Sequence, residues 1–264
     1  MDKISKITFG TWGLSEWGKY SLNYCKEICN EAYERGITSF DTSRVYGAGK
    51  AEQFLSSLPP ECFIATKVPA KDRSQDIREA YSESWVEHCI EQSRQSMQRN
   101  TLDLVQLHNW SYDWDDYRHL IDLMECYKDK GIVKHWGVSL PFERKNLNEE
   151  VFDEPTLEYF QVHYNALEQQ NKDLINELKQ KGKTLLLKSV LLHGFLLDSV
   201  NPPFNNKYES KTQDLVKQKN EIFSNLGDQS RIEFCLEDAF STGADSVVLG
   251  ITKDAHLSDI AKFL

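Results

Sequence analysis

Leu102-Asp103-Leu104-Val105-Gln106-Leu107-His108 is a short run rich in Leu and Val that ends on an imidazole. Its length suits a strand, since strands run to about eight residues while helices start at about ten. The flanking segments have a different period. Ser82–Arg99 and Asp115–Lys130 place apolar residues at helical spacing, and the second stops before Gly131, beyond which His135–Leu140 reads as another strand. Helix, strand, helix and strand in succession form the βαβ alternation, which predicts a parallel sheet.

The same alternation extends in both directions. Further apolar runs at Lys6–Thr11, Ser39–Ser43, Cys62–Lys67, Glu158–Tyr164, Thr184–Leu191 and Ser246–Ile251 bring the strands to eight. Between the first two, Tyr20–Arg35 carries Leu22, Cys25, Cys29, Ala32 and Tyr33 at helical spacing and stops at Gly36, a natural C-terminal cap. Glu168–Lys181 stops in the same way before Gly182. Eight parallel strands with helices between them close a TIM (β/α)8 barrel, and 264 residues suit one such barrel of roughly 250. No Pro/Gly/Ser-rich linker interrupts the chain, so the expectation is a single α/β domain over residues 1–264.

Composition narrows the function. The hydrophobic fraction of 40% supplies a large core, and a formal net charge of −10 opposes general affinity for nucleic acid or an anionic membrane. The first ten residues lack the apolar stretch of a signal peptide, and no window approaches the roughly 18 apolar residues of a membrane span, so the expected compartment is the cytoplasm. Six cysteines are scattered without a C-x-x-C pair or a Cys/His cluster at zinc spacing, which predicts reduced, mostly buried thiols and no metal.

Four polar residues, Asp41, Tyr46, Lys67 and His108, fall at or just past the ends of consecutive strand-like runs. In a parallel barrel all carboxyl ends open on one face, so a carboxylate, a phenol, an ammonium and an imidazole converge there. They suffice for proton transfer to a carbonyl. Tyr46 can give a proton if the neighbouring Lys67 cation brings its pKa down from about 10, and Asp41 can hold Lys67 charged. Trp12 follows the first strand, and Trp110, Tyr112 and Trp114 follow His108, so aromatic rings gather near the same mouth. The long polar stretch Asp198–Lys211, after the seventh strand, is a candidate substrate loop on that face.

Phe40-Asp41-Thr42-Ser43, Tyr46-Gly47, Thr66-Lys67-Val68 and Leu107-His108-Asn109 resemble, in order and spacing, the active-site pattern of the aldo-keto reductases. The resemblance continues through Gly137-Val138-Ser139, Gln161-Val162-His163-Tyr164-Asn165 and Lys188-Ser189-Val190-Leu191-Leu192-His193-Gly194. It implies reduction of a small-molecule carbonyl with NADP or NAD, Tyr46 as proton donor, Lys67 and Asp41 as its tuning pair, and His108 orienting the carbonyl. It also implies cofactor contacts from Gly10, Thr11, Trp12, Asp41, Ser139, Gln161, Lys188, Ser189, Val190, Leu191, Gly250, Thr252, Lys253 and His256. Substrate contacts fall to Trp12, Tyr46, His108, Asn109 and Trp110.

The chain departs from the family pattern at the cofactor. Leu140 stands where relatives commonly place the Asn that helps Ser139 hold the nicotinamide amide, while Gln161 is in place for that amide. Thr252 and His256 occupy the usual Arg positions and Ile260 the Asn position, leaving Lys253 as the cation of that loop for a 2′-phosphate. Leu264 falls in the helix after the eighth strand, where relatives continue into a closing segment, so the expectation is an open site for a bulky or extended substrate such as a sugar or nucleotide-sugar. The Lys188–Gly194 stretch is similar to that of bacterial members tied to surface-polysaccharide synthesis. Two other functions use the same barrel: a protein that senses a nicotinamide cofactor without turnover, and a redox-neutral lyase or isomerase using Tyr46, Lys67 and His108 as acid and base. Oligomeric state is not encoded in any of these features.

Overall fold

The computed structural model describes residues 4–15, 19–71, 76–108, 110, 117–142, 149–197, 212–224 and 226–264. Eight parallel strands close in sequence order into a barrel: β1 (Ile7–Gly10), β2 (Ser39–Asp41), β3 (Phe63–Pro69), β4 (Leu102–His108), β5 (Val133–Ser139), β6 (Leu157–His163), β7 (Thr184–Lys188) and β8 (Ser246–Gly250). Closure is made by β1 on β8, with Ile7 opposite Val247 and Gly10 opposite Gly250. The helices that cross between strands include α1 (Trp12–Ser15), α2 (Leu22–Glu34), α3 (Lys50–Phe54), α4 (Ile77–Ala80), α5 (Glu83–Met97), α6 (Arg118–Asp129), α7 (Lys172–Gln180), α8 (Thr212–Phe223), α9 (Arg231–Ser241) and α10 (Asp254–Asp259). Among the described residues no helix is long and apolar enough to cross a membrane.

All eight expected strands are present, and β4 has the expected bounds. Others differ at their ends. β7 stops at Lys188 instead of Leu191, because Ser189 turns to φ +63°, which a strand cannot continue. β3 runs on to Pro69, so Lys67 lies inside the strand and not past it. β2 is shorter than expected, ending at Asp41. The glycine-stopped helices are borne out, with Gly36 at φ +99° directly after α2 and its Arg35 cap. Helix α5 has no glycine to end on, and Gln98 takes the left-handed position at φ +55° instead. The short turn Tyr46–Gly49 leading into α3 had no counterpart among the sequence expectations.

Packing follows the two-residue period of the strands. Phe63, Ala65, Leu104, Tyr159 and Leu186, from β3, β4, β6 and β7, form a buried cluster of their own with Ile4 and Val248 against it. Contact between strands that are not neighbours places this cluster inside the barrel. The complementary positions, such as Ile64, Val105, Val138, Phe160, Leu185, Leu187 and Val247, belong to the larger cluster shared with the helices. Continuing the inward register toward the carboxyl ends gives Asp41, Lys67, His108, Ser139, Gln161 and Lys188. The inside of the barrel is therefore lined below by this apolar cluster together with the buried Thr8, Ser39 and Ser246 hydroxyls, and is charged at the mouth. All six cysteines are free, and all but Cys126 are buried, in line with the reading of reduced structural thiols.

Candidate active site

Asp41 ends β2, Lys67 sits two residues before the end of β3, and His108 ends β4. Tyr46 opens a turn in which Gly47, Ala48 and Gly49 all have positive φ. Glycine is required at 47, where a Cβ would stand 3.0 Å from the Ser15 carbonyl oxygen, so the turn packs tightly on α1 and fixes the start from which Tyr46 projects. Lys67 Nζ donates to both Asp41 oxygens and to the Thr42 carbonyl, each at 2.7 Å, and lies 3.4 Å from the Tyr46 hydroxyl. Burial alone would pull the ammonium down, but the Asp41 carboxylate and the Tyr46 phenol outweigh it and hold its pKa above the ordinary lysine value. The ring of His108 meets that of Tyr46 edge-on, centroids 6.0 Å apart, and its Nδ1 is 3.3 Å from Ser43 Oγ. Burial, reinforced by the Lys67 and Lys188 cations, pushes the His108 imidazole down to about 3, so it is neutral at physiological pH.

A second set of bonds ties this group to the other side of the mouth. Gln161 Nε2 donates to Asp41 Oδ2 at 2.8 Å, Ser139 Oγ donates to Gln161 Oε1 at 3.1 Å, and Lys188 Nζ donates to Ser139 Oγ at 2.8 Å. Lysine only donates and carboxylate only accepts, so the two ends fix the direction of every bond between them, including which way the Gln161 amide faces. Lys188 also donates to the Leu140 carbonyl at 2.8 Å, while the Leu140 side chain is buried in the core. Burial, then the Lys67 cation, pulls Lys188 down to about 7 against the opposing pull of Asp41. The link from Gln161 to Asp41 was not foreseen from sequence, although the shared inward parity of the two positions contains it.

The remaining expected site residues separate into those at the mouth and those in the core. Trp12 is 41% exposed and its ring lies 5.0 Å from that of His193, joining the ends of β1 and β7 across β8. Between them Gly250 is exposed, and a Cβ there would meet nothing within 4 Å. The turn after β7 holds Ser189, Leu192 and His193 at positive φ, with Val190 buried and Leu191 partly exposed. Trp110 is corrected: at 1% exposure it packs on Tyr117, rings 6.1 Å apart, and its ring belongs to the core instead of the substrate surface. Trp85 is structural, its indole bonded to the Pro69 carbonyl. Asn109, Tyr112, Trp114 and the stretch Asp198–Lys211 lie outside the described residues.

Around the start of α10, Lys253 is exposed, the Thr252 carbonyl accepts from Tyr24, and the Thr252 N–H faces His256 Nδ1 at 3.4 Å. Sequence reading missed Arg35, which α2 brings to Asp254 at 2.5 Å and to Ser258 at 3.1 Å. For a nicotinamide cofactor the donor set fits: Ser139 and Gln161 together offer a hydroxyl and an amide to a carboxamide, and the open space at Gly250 lies between the β1 and β7 ends.

The family model for the aldo/keto reductase family matches residues 6–264. The chain belongs to that family and is an NAD(P)-dependent oxidoreductase. Among curated proteins it is similar to the oxidoreductase YqkF of Bacillus subtilis, 22% identical over 80% of this chain and 67% of that one. Its fold is similar to that of the aldo-keto reductase AKR11C1 from Bacillus halodurans in its holo form, with a TM-score of 0.80 at 20% identity over 98% of this chain and 86% of that chain. The glycerol dehydrogenase AKR11B4 of Gluconobacter oxydans gives 0.78 at 18%, over 99% and 86%. An aldo/keto reductase of Klebsiella pneumoniae in complex with NADP and acetate gives 0.69 at 18%, over 98% and 85%.

Proposed function

We propose that this chain reduces the carbonyl of a small molecule to an alcohol with Tyr46 as the proton donor and with Asp41, Lys67 and His108 as its supporting residues. The observation that carries this reading is the buried Lys67 ammonium, locked on Asp41 at 2.7 Å and 3.4 Å from the Tyr46 hydroxyl. When bound, NADPH or NADH supplies the hydride. Tyr46 transfers its proton to the oxygen as negative charge gathers there, and Lys67 stabilises the phenolate left behind. Asp41 keeps Lys67 charged against burial. His108, held neutral, donates or accepts a hydrogen bond and orients the carbonyl, while the acid is left to Tyr46. Positioned acid catalysis of this kind contributes about 10²–10⁴-fold.

Ser139 and Gln161 are the residues to hold the nicotinamide carboxamide, with Gly10, Thr11 and Trp12, the turn Lys188-Ser189-Val190-Leu191, and Gly250, Thr252, Lys253 and His256 along the rest of the cofactor. On the substrate side we place Trp12, Tyr46 and His108. A sugar or nucleotide-sugar is the substrate class favoured, because the exposed face of Trp12 offers a stacking surface at the mouth.

Replacing Tyr46 by Phe tests the assignment. Turnover on a panel of aldehydes and sugar carbonyls is expected to fall at least a hundredfold, the low end of about 10²–10⁴ for a positioned acid. Cofactor affinity, read by fluorescence titration, should stay within about twofold. Retention of more than about a tenth of wild-type turnover rejects Tyr46 as the donor. Cofactor binding without turnover on any carbonyl would favour the sensor, and turnover without cofactor the lyase.

A further inference from the structure

We propose that the Lys188 ammonium makes this site bind the reduced, neutral form of the nicotinamide cofactor more tightly than the oxidised, cationic form. The inference rests on the reading above that Ser139 and Gln161 hold the carboxamide.

Lys188 reaches the mouth from the end of β7, and both of its hydrogen-bond acceptors, Ser139 Oγ and the Leu140 carbonyl, are neutral. Among the described residues it makes no ion pair. The charged and titratable groups facing it are few. Asp41 from β2 is spent on Lys67 and Gln161. Lys67 from β3 adds a second positive charge, and His108 from β4 is neutral. His163, the register partner of Lys188 on β6, is bonded to Glu168 at 2.8 Å. His193, in the turn after β7, is pulled below the ordinary histidine value by burial. Of the charges that act on Lys188, the Lys67 cation and the Asp41 carboxylate oppose each other, so the Lys188 ammonium has no counter-charge of its own among the described residues.

A carboxamide bonded to Ser139 would share the Ser139 hydroxyl with the Lys188 amine, two hydrogen bonds away along that path. The ring it carries is neutral when reduced and positive when oxidised, so a cation at this distance in a partly desolvated site penalises only the oxidised form. The same amine bonds the backbone of Leu140, whose side chain is turned into the core. Because Lys188 loses its proton near pH 7, the penalty is present below that pH and fades above it.

The test measures dissociation constants, with no turnover. NADH and NAD⁺, which lack the titrating 2′-phosphate, are titrated at pH 6.0 and pH 8.5 at one ionic strength, with NADPH and NADP⁺ in parallel. The oxidised-to-reduced ratio of dissociation constants is expected to be about tenfold larger at pH 6.0 than at pH 8.5 in the wild type. In Lys188→Met it should be flat and equal to the wild-type value at pH 8.5, and in Lys188→Arg, charged throughout, it should stay at the wild-type pH 6.0 value. A wild-type ratio that does not change with pH, or a Met variant that keeps the wild-type pH dependence, overturns the role given to Lys188 and leaves the functional reading standing. Binding of neither form of either cofactor overturns both. If the Met variant fails to fold, the wild-type pH dependence and the Arg variant decide the matter between them.

Discussion

Lys67 is held by three oxygens at 2.7 Å, two of them from a carboxylate that is itself buried. Removing the ammonium therefore does more than remove an activator. In Lys67→Met the Asp41 carboxylate keeps Gln161 but loses its counter-charge, and the cost of a stranded buried charge is about 3 kcal/mol. Denaturant unfolding of that variant should show this loss, and an unchanged midpoint would mean that the pair is dispensable to the fold. His108 gives a pH dependence of known sign. Its folded value near 3 lies below the unfolded value of about 6.5, so stability is complete above pH 6.5 and is lost as pH falls, because the unfolded chain takes up a proton that the folded one does not. The slope approaches about 1.4 kcal/mol per pH unit. Between pH 7 and pH 4.5 the wild type should lose about 2 kcal/mol more than His108→Gln. Equal losses would remove the buried neutral imidazole from the account.

At the scale of elements, the strand that delivers Ser139 depends on one glycine. The register between β5 and β6 shifts between Trp136 and Gly137, and a Cβ on Gly137 would lie 2.3 Å from the Tyr159 carbonyl oxygen. Such a contact can be relieved only by moving backbone, so Gly137→Ala should cost about 2 kcal/mol or more in unfolding free energy and displace Ser139 from Gln161. A thermal midpoint within a degree of wild type would show that β5 and β6 have slack. The turn after β7 makes a related point. Three non-glycine residues with positive φ follow Lys188 within five positions, so the end of β7 is fixed by tertiary contacts against the local preference of Ser189, Leu192 and His193.

For the molecule as a whole, the proposed cofactor site puts cofactor choice where two helices meet at the end of the barrel. Arg35 comes from α2 to the start of α10, but it is bonded there to Asp254, and Lys253 is left exposed. A 2′-phosphate gains one screened contact from such a site, so NADPH and NADH should bind within about tenfold of each other. Lys253→Ala should abolish whatever preference exists and leave NADH unaffected. A hundredfold NADPH preference that survives the substitution, measured as paired dissociation constants at fixed ionic strength, would place the phosphate site elsewhere, with Arg35 the first residue to test.

The order and type of the elements were legible in the chain because each carries its own local pattern: an apolar run for a strand, helical spacing ended by Gly36, Gly131 or Gly182 for a helix. Asp41, Lys67 and His108 were legible for the same reason, since the carboxyl end of an apolar run in a parallel barrel lies at the mouth and alternate residues there face inward. Strand ends were less so. Where Ser189 turns, and where Gln98 replaces a glycine, the decision belongs to packing and not to the residue's own preference. The bond from Gln161 to Asp41 joins residues 120 positions apart, and the approach of Arg35 to Asp254 joins residues 219 apart. Trp110 looked like part of the mouth because it follows His108, yet its ring is buried on Tyr117. Sequence alone determined the fold class and which polar residues stand at the strand ends, because period and polarity are local. Only barrel closure decided which of those groups touch, because distance across the mouth is set by register and packing, which no single segment contains.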